Sequence, residues 1–169
     1  MFGDLEKSRF IAYSAAFVAL ITLGGWVSIP FYSVPFTLQT MFVLLAGIVM
    51  KRSAVVPVLI TILLGVLGVP VFHNGIAGVG VLLGPTGGYF IGFIFAALIT
   101  GLAYESRSDY ARIPGIVAAT IAIYGFGALW LMYSLGLGLV SAIVAGALPF
   151  IPGDAVKAGV AYAIGKRLL

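Results

Sequence analysis

The sequence predicts an all-α integral membrane protein with six transmembrane helices, forming a single membrane domain over residues 1–169. Hydrophobic residues make up 62% of the chain and charged residues 8%, whereas soluble domains carry about 25% charged residues. The mean hydropathy is +1.21, and a soluble domain of this composition would lack the polar surface needed to cover itself. The basic residues also fall in clusters between long apolar stretches.

Each apolar stretch is predicted to cross the membrane once, which takes ~17–25 residues in a helix. The second and third stretches are short, and we expect them to form a tilted hairpin that turns at Lys51 and Arg52. The first follows Lys7 and Arg9 as a signal peptide would, but its apolar run is too long and no small-residue cleavage site follows, so we expect it to be retained. The predicted helices span residues 10–28, 36–50, 53–69, 87–104, 113–134 and 153–167.

The basic residues predict the orientation of these helices. Lys and Arg cluster at both termini and in the loops after the second and fourth helices, all on one side, and cytoplasmic loops are enriched in these residues. Both termini are therefore predicted to be cytoplasmic, and the net charge of +4 gives no indication of nucleic acid binding. The clusters are Lys7 with Arg9, Lys51 with Arg52, Arg107 with Arg112, and Lys166 with Arg167; the opposite loops, 29–35, 70–86 and 135–152, contain no charged residue.

The two long outer loops are apolar. Residues 70–88 are rich in glycine and contain two prolines, which disfavour a regular helix. Irregular backbone at membrane depth is buried in protein or lines a cavity, so this loop is expected to fold over the helix ends as a lid. Residues 135–149 are too short to span and are expected to form a short helix at the outer face.

Aromatic residues are predicted to gather at this outer boundary. An aromatic belt at the membrane interface explains each of them, and the wall of an apolar ligand site would explain them equally well. The sequence leaves both explanations open for Trp26, Tyr32, Tyr89, Trp130 and Tyr133.

Small residues spaced four apart predict close helix packing. In the first helix, Ala12 with Ala16 and Ala15 with Ala19 form a doubled stripe, which we expect to face another protein. In the last helix, Ala155, Gly159 and Ala163 repeat at the same spacing, and for them we expect packing inside the monomer.

Asp154 and Lys157 are the only charged residues outside the termini and the cytoplasmic loops. A structural explanation is available: Asp154 caps the start of the last helix, and Lys157 extends to the interface or pairs with it. A charge at mid-membrane costs about 2.5–3.5 kcal/mol, and intramembrane ionisable groups are functional by default. We therefore favour a ligand-binding role for this pair.

Other residues near the outer helix ends are candidate ligand contacts: Gln39, Asn74, Thr86 and Tyr89, with His73 and Thr37 interpreted as ordinary loop or capping residues. No nucleotide-binding, hydrolase or metalloprotease motif occurs, and there is no cysteine. The sequence therefore predicts neither an enzyme, nor a metal site, nor a bound cofactor. It predicts a binder or carrier without an energy source of its own.

Three motifs, VPFTLQTMFVLLAG, GVPVFHNGIAGVGVLLGPTGGYFIGF and LPFIPGDAVKAG, resemble the BioY family in order and spacing. That family comprises the biotin-binding S components of energy-coupling factor (ECF) vitamin transporters, and the resemblance covers nearly the whole chain. It implies a six-helix S-component bundle in the cell membrane, with a vitamin pocket in the outer half. It also implies two kinds of partner, a transmembrane coupling subunit and a pair of cytoplasmic ATPases.

The resemblance places the family's site residues on Asp154, Lys157 and Asn74, and its coupling-subunit stripe on Ala15 and Ala19, with Ala12 and Ala16 as the rival pair. The chemistry of biotin fits these residues: a carboxylate and an amide suit its urea group, apolar walls suit its sulfur ring, and an ammonium suits its acid. A proton- or sodium-coupled carrier that uses Asp154 as its titrating group is the alternative.

Overall fold

A computed structural model describes residues 2–31, 33–106 and 109–168 of the chain. Over these residues it is mainly helical, with eight α-helices joined by short 3-10 turns. The helices are α1 (Phe2–Trp26), α2 (Gln39–Met50), α3 (Val55–Val66), α4 (Val79–Leu83), α5 (Gly87–Glu105), α6 (Asp109–Leu135), α7 (Leu139–Gly146) and α8 (Ile151–Leu168).

Five segments are long and apolar enough to cross a membrane, which confirms the predicted class of membrane protein. They are Asp4–Trp26, Gln39–Val66, Gly87–Glu105, Tyr110–Leu135 and Leu139–Leu168. The second segment joins α2 and α3, each of only 12 residues, so length and composition by themselves do not divide it into two crossings.

The chain reverses direction between α2 and α3. Lys51 has a positive φ of 58°, and Gln39 at the start of α2 and Phe72 beyond α3 both lie against Gly25. Gly101 of α5 lies so close to this turn that an added Cβ would be 2.4 Å from the carbonyl carbon of Lys51. The predicted turn at Lys51 and Arg52 is therefore present, with α5 packed on it.

Several boundaries differ from the predicted ones. Helix α1 begins at Phe2 rather than at residue 10, and α6 begins at Asp109 and continues through Pro114. The prediction of a purely helical fold also misses a small antiparallel sheet, in which strand β1 (Ser28–Ile29) pairs with β2 (Phe36–Thr37). The outer loops contain α4 and α7, the second of which is the short helix predicted within residues 135–149.

Helix α5 is the centre of the bundle and packs against α2, α3 and, most extensively, α6. Glycines allow this approach: a Cβ at Gly88 would lie 2.3 Å from the carbonyl oxygen of Phe126, and one at Gly92 would lie 2.7 Å from Cα of Ile123. On the other side α2 packs against α1 and α8, while α8 contacts α6 only sparsely.

The prediction that the small residues of the last helix pack inside the monomer is wrong. The buried side of α8 carries Asp154, Lys157, Ala161 and Gly165, whereas Ala155, Gly159 and Ala163 are exposed. Packing against α2 needs small residues only where the helices meet, as at Gly165, which lies against Ile48. In α1 the predicted stripe is exposed in full: Ala12, Ala15, Ala16 and Ala19.

Candidate ligand-binding site

A cavity opens between the helix starts of α2, α5 and α8 and the middle of α6, and the space among its lining atoms, open solvent included, is about 490 Å³. The end of the bundle that holds it is opposite the Lys51–Arg52 turn. Most of the wall is apolar or aromatic, and the polar residues that line it are Thr37, Gln39, Thr40, His73, Thr86, Asp154 and Lys157, with the hydroxyls of Tyr89 and Tyr124.

The predicted charged pair lies in this wall. Asp154 is 6% exposed and Lys157 5% exposed, and Lys157 Nζ forms an ion pair with Asp154 Oδ1 along one turn of α8. Helix α8 begins at Ile151, so Asp154 lies inside its first turn. Of the two structural explanations, the structure shows the pairing with Lys157 rather than a helix cap, because the partners of the carboxylate are the ammonium of Lys157 on the same helix and hydroxyls of two other helices.

Two hydroxyls hold the carboxylate of Asp154 from neighbouring helices. Thr40 of α2 donates to Oδ1 at 3.1 Å, and Tyr124 of α6 donates to Oδ2 at 2.5 Å. With the ammonium of Lys157, this gives the carboxylate donors from three helices. Hydrogen bonds to charged groups are the stronger kind, so the orientation of Asp154 in the cavity is well fixed.

The ammonium of Lys157 is enclosed by the β1–β2 hairpin. It donates to the carbonyl oxygen of Thr37 at 2.6 Å and lies 3.7 Å from the ring centroid of Phe36, a cation–π contact. Both residues belong to β2, so this side chain also connects α8 to the small sheet.

Gln39 lines the cavity, and its Nε2 lies against Gly25 of α1. It is 2% exposed, and its Nε2 finds no hydrogen-bond partner within the described part of the chain. Buried polar groups without a partner cost free energy and call for an explanation. A ligand with an acceptor oxygen would satisfy this amide.

In the loop between α3 and α5, His73 rather than Asn74 lines the cavity. Asn74 is exposed in a left-handed turn (φ 55°) and does not line the cavity. The neighbouring His73 does, with Nε2 3.4 Å from the hydroxyl of Thr86. Burial lowers the pKa of the His73 imidazole, so at neutral pH the ring is uncharged and offers one donor and one acceptor.

Of the aromatic residues considered for an interfacial belt or a ligand-site wall, the structure places one in the cavity wall. Tyr89 is buried, lines the cavity and donates to the carbonyl oxygen of Gly146 at 2.7 Å. Trp26 and Trp130 instead donate to loop carbonyls, at Pro70 and Gly84, both at 2.8 Å. Tyr133 is exposed, and Tyr32 lies outside the described residues, as does Arg107 of the third basic cluster.

Of the predicted site residues, the structure brings together Gln39, Thr86, Tyr89, Asp154 and Lys157 around one cavity. Sequence reasoning missed Thr40 and Tyr124, which are 114 and 30 positions from Asp154. Thr40 had a signal, since it follows Gln39 directly. For Tyr124 the only signal in the sequence is a hydroxyl group within a long apolar helix. Among the described residues no group of three or more His, Cys, Asp or Glu could hold a metal ion.

Comparison with known proteins assigns the chain to a family. The family model described as BioY family matches residues 3–169. The chain belongs to the BioY family. The matched range includes every residue of the cavity, so the family assignment covers the candidate site as well as the fold.

Relatives of this BioY-family chain are similar over nearly their full length. A Thermotoga maritima protein named biotin transporter BioY is 40% identical over 162 residues, covering 95% of each chain. A Pyrococcus horikoshii protein named probable biotin transporter BioY is 39% identical, over 96% of this chain and 97% of the relative.

One solved structure has the same fold. A crystal structure titled as the S-component for biotin from an ECF-type ABC transporter superposes with a TM-score of 0.87 at 29% identity. The match covers 96% of this chain and 92% of that one, so the whole bundle shares the S-component fold.

Proposed function

We propose that this chain is the biotin-binding S component of an ECF transporter, which captures biotin on the outer side and passes it inward with ATP-driven partners. The observation that supports this most directly is the buried Asp154–Lys157 pair in the wall of a mostly apolar cavity. Relatives named biotin transporters and a structural neighbour named a biotin S-component support the same ligand.

The cavity chemistry suits the parts of biotin separately. Biotin presents two urea N–H donors and a urea carbonyl, an apolar sulfur ring, and a flexible acid tail. We assign one of the N–H groups to Asp154 and the urea carbonyl to the amide of Gln39, which lines the cavity. Tyr89 and the phenylalanine walls would contact the sulfur ring, with Thr86 at the lid side. Lys157 is the cation in this wall; because it pairs with Asp154, the acid tail would reach it by folding back over the ring.

We propose that the chain crosses the cell membrane six times, with both termini in the cytoplasm. The reversal at Lys51 supports a division of the Gln39–Val66 segment into two crossings. With six crossings the Lys51–Arg52 turn and the Lys166–Arg167 end lie on one side, as cytoplasmic loops rich in basic residues require. The cavity then opens to the outside.

The same proposal includes partners that supply energy, because the chain carries no nucleotide-binding motif of its own. A transmembrane coupling subunit is assigned to the exposed alanines of α1, namely Ala12, Ala15, Ala16 and Ala19. Small residues allow a partner helix to approach closely in lipid. A pair of cytoplasmic ATPases would act through that subunit.

Titration calorimetry of biotin into the purified chain in detergent tests the proposal. We expect nanomolar binding, about 12 kcal/mol, that Asp154→Asn and Lys157→Met each weaken by about 1.5–3 kcal/mol per charged hydrogen bond lost. Binding of no biotin by the folded chain would contradict the proposal.

The double variant Asp154→Asn/Lys157→Met separates binding from folding. Removing one member of a buried pair is strongly destabilising, whereas removing both is often tolerated. We expect the double variant to unfold near the wild-type temperature and still bind biotin poorly. The matched control is Arg52→Met/Glu105→Gln, which removes the ion pair at the opposite end of the bundle (3.2 Å) and should leave binding unchanged.

A further inference from the structure

Tyr124 has no role in the site described so far except to hold Asp154. It lies in the middle of α6, lines the cavity, and its hydroxyl donates to Asp154 Oδ2 at 2.5 Å. Because α6 and α8 otherwise contact each other only sparsely, this hydrogen bond is a principal link between the two helices on that side of the cavity.

The carboxylate of Asp154 has most of its accepting capacity already used. It has about four lone-pair positions, and Lys157, Thr40 and Tyr124 each direct a donor at it. What remains suits one more neutral donor. A cationic ligand group would instead lie beside the ammonium of Lys157 in a poorly screened site, where like charges repel strongly.

The free capacity of Asp154 suits one N–H group of a cyclic urea, because the two N–H groups of that ring diverge on either side of its carbonyl. Lys157 and Thr40 direct their donors at Oδ1, and Tyr124 directs its donor at Oδ2. Tyr124 therefore determines which lone pair of the carboxylate stays free for the ligand.

We propose that Tyr124 is a specificity-determining positioning residue: it orients Asp154 and, with it, selects a neutral urea-like group over a cationic guanidine-like one. This inference rests on the proposed function, because it concerns the same ligand and the same cavity.

The test compares two probes on one protein sample, biotin and 2-iminobiotin, whose guanidine group is protonated at neutral pH. In Tyr124→Phe, biotin binding should weaken about tenfold or more, the loss expected for a hydrogen bond to a charged group. Binding of 2-iminobiotin should weaken much less or improve, because Asp154 has lost a competing donor. The preference for biotin should therefore fall about tenfold.

Tyr133→Phe is the matched control, since Tyr133 lies on the same helix and is 82% exposed. Should Tyr124→Phe fold poorly, Thr40→Val removes the other hydroxyl donor to Asp154 and should shift the preference in the same direction, more weakly because its bond is longer, 3.1 Å.

An equal loss for both probes, or no loss for either, would show that Tyr124 acts only in packing and would overturn this inference. Binding of neither probe by the wild-type chain would instead reject the proposed function. A double-variant comparison adds a second criterion: in an Asp154→Asn background, Tyr124→Phe should have little further effect on biotin binding, because its action passes through that carboxylate.

Discussion

At the scale of single residues, the site is built from polar groups whose partners come from distant parts of the chain. Asp154 accepts hydrogen bonds from residues of α2, α6 and α8, and Lys157 donates to the β1–β2 hairpin. Such a network is rigid when every member is paired. Gln39 and His73 are exceptions, since Gln39 Nε2 and His73 Nδ1 are buried without a hydrogen-bond partner in the described part of the structure.

Gln39→Met should separate binding from stability. An unsatisfied buried donor costs about 1–3 kcal/mol, so a side chain of similar shape without the amide should leave the ligand-free chain equally or more stable. Biotin affinity should fall about tenfold because the urea carbonyl loses its donor. Thermal unfolding without ligand and calorimetry with biotin measure the two effects. Unchanged affinity together with a lower unfolding temperature would assign Gln39 a structural role only.

Residue identity predicted part of this site and could not predict the rest. Asp154 and Lys157 were recognised because a charge in an apolar segment is costly, which is visible in one dimension. Whether His73 or Asn74 lines the cavity depends on the direction of a tight turn, which the sequence does not give: in the structure Asn74 adopts φ 55° and is exposed, while His73 lines the cavity. Tyr124 became recognisable only through a contact between helices.

At the scale of elements, the start of α8 packs closely against the β1–β2 hairpin. A Cβ on Gly153 would lie 2.3 Å from Cζ of Phe36, and the ring of Phe36 also stacks on Phe150, with centroids 6.1 Å apart. Phe36 in turn contacts the ammonium of Lys157. Because Gly153 has no side chain, the ring of Phe36 can lie against α8. In that position the ring packs on Phe150 and contacts the ammonium of Lys157.

Gly153→Ala is expected to displace the ring of Phe36 and to cost about 1–3 kcal/mol of stability, as overpacking usually does, with a parallel loss of biotin affinity. Gly159→Ala is the control on the same helix, because nothing lies within 4 Å of its added Cβ. Alanine is the better helix former by about 1 kcal/mol, so this variant should be as stable as wild type or more so. Thermal unfolding with and without biotin distinguishes the two, and equal behaviour of both variants would contradict the assignment.

The sequence predicts where the helices lie more readily than it predicts which face of each helix is buried. Hydrophobic length located the long helices, since crossing lipid demands it. It gave no information on rotation about the helix axis, because the outside of a membrane protein is as apolar as its inside. This is why the small-residue stripe of α8 was placed inward, while the structure exposes Ala155, Gly159 and Ala163.

At the scale of the whole molecule, helix α1 presents a stripe of exposed small side chains that no other helix of the described residues covers. The four alanines of α1 are exposed, while Ser14 and Phe17 on the opposite side of the same helix are buried. The ligand cavity lies at the end of the bundle formed by the starts of α2, α5 and α8. The proposed ligand site and the proposed partner contact therefore lie on different surfaces, and we expect that each can be disrupted separately.

Ala15→Trp and Ala19→Trp should abolish biotin uptake by the assembled transporter without changing biotin binding to the isolated chain. A bulky ring on a close helix contact prevents the approach that small residues allow, while the cavity lies elsewhere. Ala12→Trp and Ala16→Trp test the rival pair, and Ala118→Trp, on an exposed face of α6, controls for the size of the ring. ATP-dependent uptake and co-purification of the coupling subunit are the measurements. We expect losses of tenfold or more on one α1 pair and none at Ala118. Retained uptake in all four α1 variants would mean that the partner docks on another face, and the exposed alanines would then be lipid-facing.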